Sequence, residues 1–180
     1  MTDAEPDGPP RSLLIAALVI AALAVVGLLA VAAVRHTPDR PRPVAVASIP
    51  APQADGDACR ALAEALPTDL GDYRRATLAD PAPAGAAAWQ AEDRPDDAVI
   101  LRCGLERPVD FVAGTPVQVV DQVSWFRIAD TGRSTWITVD RPSYVALTLP
   151  DGSGPTPIQE ISTAVARAMP AVPPNPGPPR

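Results

Sequence analysis

The sequence contains no lysine and a single histidine, His36, which lies just after a long apolar run. A Ser-His-Asp or Cys-His catalytic arrangement therefore cannot be assembled within the rest of the chain, and a histidine-containing zinc site is excluded for the same reason. The phosphate-binding patterns G-x-x-x-x-G-K-S/T and G-x-G-x-x-G are also missing. We predict no catalytic residue, no metal ligand and no cofactor, and we favour a protein that is not an enzyme.

Because lysine is missing, arginine is the only strong base, and acidic residues outnumber it. Residues 55–170 hold seventeen Asp or Glu residues against ten Arg residues. A surface of that sign repels phosphate backbones, so we expect no nucleic-acid partner. It also offers no basic amphipathic face for anionic lipid.

Charged residues, polar residues and proline are all missing from one stretch, residues 13–34. As a helix this stretch would be about 33 Å long, which is enough for a hydrocarbon core of about 30 Å. A helix is the expected state because it satisfies every backbone group within one segment. We therefore predict a single transmembrane helix over residues 12–35, preceded by a disordered tail over residues 1–11.

Two alternatives to a membrane anchor stay open for this helix. A cleaved signal peptide has an apolar core of about 7–15 residues, a basic start and a small-residue cleavage site. Here the core is longer and the start is acidic, although Ala45 and Ala47 form an A-x-A match further on. The other alternative is a buried helix of a soluble protein. An uncleaved anchor fits the length and the flanking residues best, so the membrane is the predicted partner.

Arginines on both sides of the helix bear on its orientation. Arg35, Arg40 and Arg42 follow the apolar run, whereas only Arg11 precedes it. By the positive-inside rule this asymmetry favours a cytoplasmic C-terminal part, but long domains are translocated largely regardless of charge. We favour a single-pass protein of the cell membrane with an extracytoplasmic domain, partly because of its two cysteines.

Proline divides the remaining chain into three parts. Residues 36–54 contain five prolines and no strong periodicity, which predicts a semi-rigid extended spacer. Residues 171–180 are also rich in proline and predict a disordered tail. Between these segments, residues 55–170 provide the length of a single domain.

Apolar periodicity in this domain predicts an α+β fold. Cys59, Leu62 and Leu66 line one face of a short helix for which Asp57 is the expected N-cap. A second helix begins at Thr156, with a T-x-x-Q capping box and a proline at its first position. We expect both helices to cover one face of an antiparallel sheet of about five strands. The strand segments are residues 73–78, 98–103, 117–120 with 123–128, 134–140 and 144–149.

The two cysteines, Cys59 and Cys103, are predicted on the inner faces of the first helix and of a strand. In that strand Ile100 and Arg102 lie on the opposite face from Cys103. A disulfide would close a loop of about 45 residues and add roughly 4 kcal/mol of stability. Two buried free thiols are the alternative. A redox-active pair is disfavoured because the spacing is not C-x-x-C.

Residues 92–97 form the densest acidic cluster. They lack the D-x-D/N-x-D/N-G pattern of a calcium loop, so a solvated loop is favoured over a weak cation site. Carboxylate pairs that hydrolyse glycosides are defined in space rather than in sequence, so an envelope hydrolase stays the alternative function.

The three tryptophans, Trp89, Trp125 and Trp136, stand out because aromatic residues are few. Trp125 and Trp136 flank a hairpin signal at residues 130–132. Together they could form an aromatic platform for a ligand, but packing in or on the core is favoured.

A pattern of Cys, Trp, Cys-Gly and Trp runs through residues 57–168. It consists of Cys59 with Leu66-Pro67, Trp89, Val99 through Cys103-Gly104, Val123-Ser124-Trp125, and Arg141-Pro142 with Tyr144-Val145. This pattern resembles an uncharacterised actinobacterial family of membrane-anchored or exported proteins, a domain of unknown function. Gln90 stands where the family pattern would have glycine. The resemblance implies an envelope location and the pairing of Cys59 with Cys103, and it implies no substrate.

Together these expectations favour a membrane-tethered extracytoplasmic domain that acts as a non-catalytic binding or interaction module of the cell envelope. Its partner would be an envelope protein, a lipid or a glycan.

Overall fold

A computed structural model describes residues 11–35 and 42–179 of the chain, with side chains for residues 11–31 and 42–179. Residues 1–10 of the predicted tail and residues 36–41 of the predicted spacer therefore lie outside the described residues. The chain divides into two compact units, Met1–Arg40 and Pro41–Arg180.

The first unit contains helix α1, Arg11–Arg35. Its segment Arg11–Val31 is long and apolar enough to cross a membrane, and none of it is buried inside the structure. The predicted helix is confirmed. A signal sequence near the N-terminus passes the same test of length and composition. The helix is therefore a candidate membrane span.

The second unit is built on one antiparallel sheet of eight strands, in the order β1-β2-β3-β4-β8-β7-β6-β5. The antiparallel sheet is confirmed, but the expected number of about five strands is wrong. The additional strands are short, or consist mostly of alanine, which has a weak preference for strands. The strands are β1 Asp69–Leu70, β2 Tyr73–Ala76, β3 Ala86–Ala91, β4 Arg94–Leu105, β5 Gln118–Val120, β6 Val123–Asp130, β7 Arg133–Thr138 and β8 Tyr144–Pro150.

Two helices, α2 Asp57–Ala65 and α3 Thr156–Ala168, contact each other over one face of this sheet. They contribute to a single core with the inward side chains of the strands, as predicted. The buried members of that core include Cys59, Leu62, Tyr73, Trp89, Val99, Leu101, Trp125, Leu147, Ile161 and Val165.

The predicted helix caps are wrong by one residue each. Gly56 precedes α2 and Pro155 precedes α3, and neither position makes a side-chain capping hydrogen bond. Asp57 lies inside the first turn, where it forms an ion pair with Arg60. Thr156 packs instead beside Gly71, at the turn between β1 and β2. These local contacts take both side chains away from the capping geometry.

The predicted spacer differs from the structure over residues 42–54, because these residues pack on the domain. We call this segment the strap. Val44 and Val46 are buried in a second small cluster on the sheet face opposite the helices. Val44 also donates its N–H to the Thr77 carbonyl at 2.8 Å and accepts from Ala79 at 2.9 Å. Alternating valines in the strap match the period of a strand, which explains the packing.

The C-terminal tail likewise lies against the domain, whereas the sequence predicts disorder. The Val172 N–H donates to the Asp140 carbonyl at 2.9 Å, and the Gly177 N–H donates to the Phe111 carbonyl at 2.8 Å. Gly177 returns a bond by accepting from Ala113 at 2.9 Å. Proline holds a chain extended, so the few remaining N–H groups suffice to attach it.

Candidate functional site

The face of the sheet away from the helices is covered only in part. The strap covers one side, where Val44 and Val46 pack on Ala88. The loop between β4 and β5 covers the other side, where Phe111 packs against Phe126 and its neighbours, with ring centroids 5.9 Å apart. A groove of about 250 Å³ opens beside the strap and crosses β4, β8 and β7. We call it the sheet groove.

Strand alternation determines which side chains form the floor of the sheet groove. On β4, Val99 and Leu101 point to the helices, so Ala98 and Ile100 face the groove. On β8, Thr148 faces the same way, and its hydroxyl lies 3.1 Å from the hydroxyl of Thr135. The floor is therefore aliphatic on β4 and carries a hydroxyl pair across β8 and β7.

Charged residues of both signs line the sheet groove. Asp96 and Asp97 lie at the start of β4, and Arg133 lies at the start of β7. All three are exposed, and within the described residues none of them forms an ion pair. Gln90 holds this end of the β3–β4 hairpin by donating from Nε2 to the Pro95 carbonyl at 2.8 Å. The groove therefore offers unpaired carboxylates and an unpaired guanidinium to a ligand.

Arg102 lies on the groove face of β4, two residues beyond Ile100. Its direct cross-strand neighbours on that face are Ala86 on β3 and Ala146 on β8. The side chain is partly buried, and its Nε is buried without a hydrogen-bond partner among the described residues. Burial lowers the pKa of this guanidinium. Packing does not explain why a cation stands at this position, between two alanines.

The acidic cluster at residues 92–97 is divided by the structure. Asp96 and Asp97 line the sheet groove, whereas Glu92 and Asp93 line a separate open hollow beside Asp69 and Asp72. The described residues contain no group of three His, Cys, Asp or Glu side chains that could hold a metal ion. The carboxylates of the hollow are exposed to solvent, and nothing in their arrangement favours the hydrolase alternative.

The disulfide is present in the structure. Cys59 on α2 is bonded to Cys103 on β4, with 5.7 Å between their Cα atoms. The bond joins the first helix to a central strand of the sheet, directly behind the face that carries Arg102. Both sulfurs are buried, so their part is structural in this geometry.

Two of the tryptophans are core residues. Trp89 and Trp125 are fully buried, and their indole N–H groups donate to the Pro67 carbonyl at 3.1 Å and to the Ser162 hydroxyl at 3.0 Å. Trp136 is half-buried, and the guanidinium of Arg127 lies over its ring at 5.5 Å. The favoured prediction of packing in or on the core is therefore confirmed, and the alternative of an aromatic platform fails for Trp125, whose ring is fully buried.

Arg141, which the sequence pattern includes without a role, organises the other end of the sheet. Its Nη1 lies 2.8 Å from the Asp140 carboxylate, and its Nη2 donates to the Gln122 carbonyl at 2.7 Å. Gln122 and Asp121 have φ values of 69° and 45° in the β5–β6 turn, a conformation that non-glycine residues rarely adopt. Arg141 stabilises that turn, and the tail bonds to Asp140, which precedes Arg141 in the β7–β8 loop.

The fold and the groove define a class of protein: a small disulfide-bonded antiparallel domain that follows an apolar helix. A comparison with protein-family models matches residues 18–174 to the family described as "Protein of unknown function (DUF3515)". The match covers most of the chain, and the protein belongs to that family. Comparisons with curated proteins and with solved structures found no match.

Proposed function

We propose that the protein is a membrane-tethered, extracytoplasmic binding module and that its sheet groove takes a ligand of the cell envelope. The observation that carries this proposal is the open groove beside the strap, on the face of the sheet away from the helices. Envelope proteins, lipids and glycans are the candidate partners, and an actinobacterial origin is part of the same proposal.

A sheet normally buries both faces when segments are available to cover them. Here the strap and the β4–β5 loop both cross the second face, yet they leave Ile100 and Thr148 at the bottom of an open groove. Pockets of this kind, with an aliphatic floor and a few convergent polar groups, are the usual form of ligand sites. The unpaired charges of Asp96, Asp97 and Arg133 at its rim support the same function.

The location is supported by two features of different kinds. Helix α1 has the length and composition of a membrane span. The Cys59–Cys103 disulfide is of the type that persists in oxidising compartments and is rare in the cytosol. The sequence supports a non-catalytic role, because it has a single histidine, no lysine and none of the phosphate-binding motifs.

Site-specific photocrosslinking in intact cells tests the groove as a binding site. A photoreactive amino acid at Asp97 or Arg133, both exposed groove residues, should capture the same envelope component. The matched control is the same amino acid at Gln159, which is exposed on α3 over the other face. Adducts that are absent at the groove, or identical at all three positions, would contradict the proposal.

A further inference from the structure

We infer that the ligand of the sheet groove carries an oxyanion, a carboxylate or a phosphate group, and that the guanidinium of Arg102 binds it. This inference rests on the proposed function, because it names the ligand chemistry of the same site. It is carried by the position of Arg102 in the sheet and by its missing partners.

Arg102 differs from the other arginines whose Nε is buried without a hydrogen-bond acceptor among the described residues. Arg94 lies 3.4 Å from the carboxylate of Asp93. Arg141 lies 2.8 Å from that of Asp140 and donates to two backbone carbonyls. Within the same described residues, Arg102 has no ion pair, no hydrogen bond and no aromatic ring. It is therefore a partly buried cation that the protein itself does not satisfy.

Enclosing the Nε of the Arg102 guanidinium without an acceptor is costly. Taking a charged group out of water destabilises the folded state unless a partner compensates for the lost hydration. The neighbours Ala86, Ala146 and Ile100 are apolar, so an apolar residue at position 102 would fit the packing better. Groups that cost stability and serve no packing purpose are characteristic of binding sites.

The chemistry of the side chain indicates what it binds. The Nε of Arg102 is enclosed, but the two terminal Nη nitrogens are not among the buried atoms without partners. Since Arg102 makes no hydrogen bond in the described structure, these Nη groups keep their access to solvent. The planar pair of N–H donors on a guanidinium matches the oxygens of a carboxylate or a phosphate.

The direction of the ligand follows from the order of side chains on β4. On this face of β4, Asp96, Ala98 and Ile100 line the groove, and Arg102 follows on the same face one step beyond the lining. Alternate residues of a strand are about 6.8 Å apart, so this row spans about 20 Å. A ligand with an oxyanion at Arg102 would lay an apolar portion over Ile100 and reach the carboxylates at its other end. A cationic or hydroxyl-bearing group suits that end.

The test uses the purified protein and the variant Arg102→Met, which keeps the length of the side chain and removes the charge. The melting temperature of the variant in plain buffer should rise by about 2–5 °C, because the uncompensated charge is gone. Inorganic phosphate or acetate should raise the melting temperature of the wild-type protein in a saturable manner and have no such effect on Arg102→Met. Arg127→Met, on the helix face of β6, is the control and should respond as the wild type does.

The source of the oxyanion is distinguished by further arms of the same experiment. Acetate and inorganic phosphate report on free carboxylates and phosphates, and phosphatidylglycerol vesicles report on a phosphate carried by a lipid headgroup. Loss of the response in Arg102→Met supports the inference for whichever probe binds. A destabilised Arg102→Met, or a response that persists in it for every probe, would overturn the inference.

Crosslinking separates a failure of this inference from a failure of the proposed function. Capture of a ligand at Asp97 that is unchanged by Arg102→Met would leave the groove function standing and would overturn the role of Arg102. Loss of this capture in Arg102→Met would support both the groove function and the role of Arg102. An oxyanion response without any capture would support the chemistry of Arg102 and contradict the groove function.

Discussion

Gly104 is the residue on which the strap and the sheet most directly depend. It has a φ of 91°, and its carbonyl accepts the Gln53 N–H at 3.1 Å. A Cβ atom at this position would lie 2.2 Å from the backbone nitrogen of Ala54. The Cys-Gly pair in the sequence pattern is thereby explained, since only glycine permits both the backbone conformation and the close approach of the strap.

Conformational strain alone would cost about 1–2 kcal/mol when alanine replaces a glycine with positive φ. Because the strap also leaves no room for a Cβ atom, we expect Gly104→Ala to lower the free energy of unfolding by more than about 2 kcal/mol. Gly114→Ala is a matched control, because Gly114 has a φ of 89° and nothing within 4 Å of its Cβ position. Urea denaturation of both variants measures the difference. Equal losses in the two variants would mean that the strap does not press on Gly104.

Tyr73 gives a prediction about pH. Its ring is buried in the core, its hydroxyl has no hydrogen-bond partner among the described residues, and burial raises its pKa. The folded state therefore favours the neutral phenol. Its contribution to stability is complete below the unfolded pKa of about 10 and is lost as the pH rises through the higher folded value.

Tyr73→Phe should consequently be neutral or slightly stabilising at pH 7, by up to about 1 kcal/mol, and should lose less stability between pH 10 and pH 12. Melting temperatures across that range provide the measurement. Burial also raises the pKa of Tyr144, so Tyr144→Phe and the double variant serve as comparisons. If the double variant loses as much stability as the wild type, the alkaline loss does not come from the tyrosines.

At the scale of elements, the sequence was informative where periodicity is strong and local. The last three strands, the C-terminal helix and the shared helix face all follow from alternation and from the 3.6-residue repeat. The sequence did not predict β3, whose residues Ala86–Ala91 read AAAWQA. Nor did it predict the strap and the tail, since their contacts are long-range and their proline content is typical of disorder.

The disulfide joins α2 to β4 across 44 residues of chain. Replacing both cysteines, in Cys59→Ala/Cys103→Ala, should lower the free energy of unfolding by about 4 kcal/mol through the entropy of the unfolded chain. Denaturation with and without dithiothreitol measures the effect. The reductant should destabilise the wild-type protein and leave the double variant unchanged. If dithiothreitol does not change the denaturation curve of the wild-type protein, the disulfide is contradicted.

Removing the C-terminal tail should measurably lower the free energy of unfolding. Removing residues 171–180 eliminates three backbone hydrogen bonds, one with Asp140, one with Phe111 and one with Ala113. We expect a loss of about 1–3 kcal/mol and faster amide exchange of the Ala113 N–H, which loses its acceptor. Hydrogen exchange read by mass spectrometry reports both the loop and the rest of the domain. Unchanged exchange at residues 107–115 would show that the tail does not pack on the domain and is disordered, as the sequence predicts.

At the scale of the whole molecule, the candidate site was only partly accessible to sequence reasoning. Alternation along β4 already separates Arg102 from the inward Cys103, and a charge in the middle of an apolar strand was the available signal. The groove itself depends on the strap and on the order β4-β8-β7, neither of which is local information. A groove between segments far apart in sequence becomes visible only when the tertiary structure is known.

The apolar helix α1 bears on whether the full-length protein stays in the membrane. If it is an uncleaved anchor, the full-length chain stays in the membrane pellet after an alkaline carbonate wash and retains its N-terminus. Leu23→Arg/Val26→Arg is the control and should release the protein, because each arginine costs about 2.5–3.5 kcal/mol at the centre of a span. A mature chain whose mass begins after residue 35 would identify a signal sequence instead.

The attachment of the strap has a consequence for how the domain can be freed from its helix. A protease that cuts before Arg42 would release a unit with every buried valine still in place. A cut after Ile49 would instead detach Val44 and Val46 from the sheet and remove one wall of the groove. Release of the domain with its strap in place is therefore restricted to cleavage in the few residues between the helix and the strap.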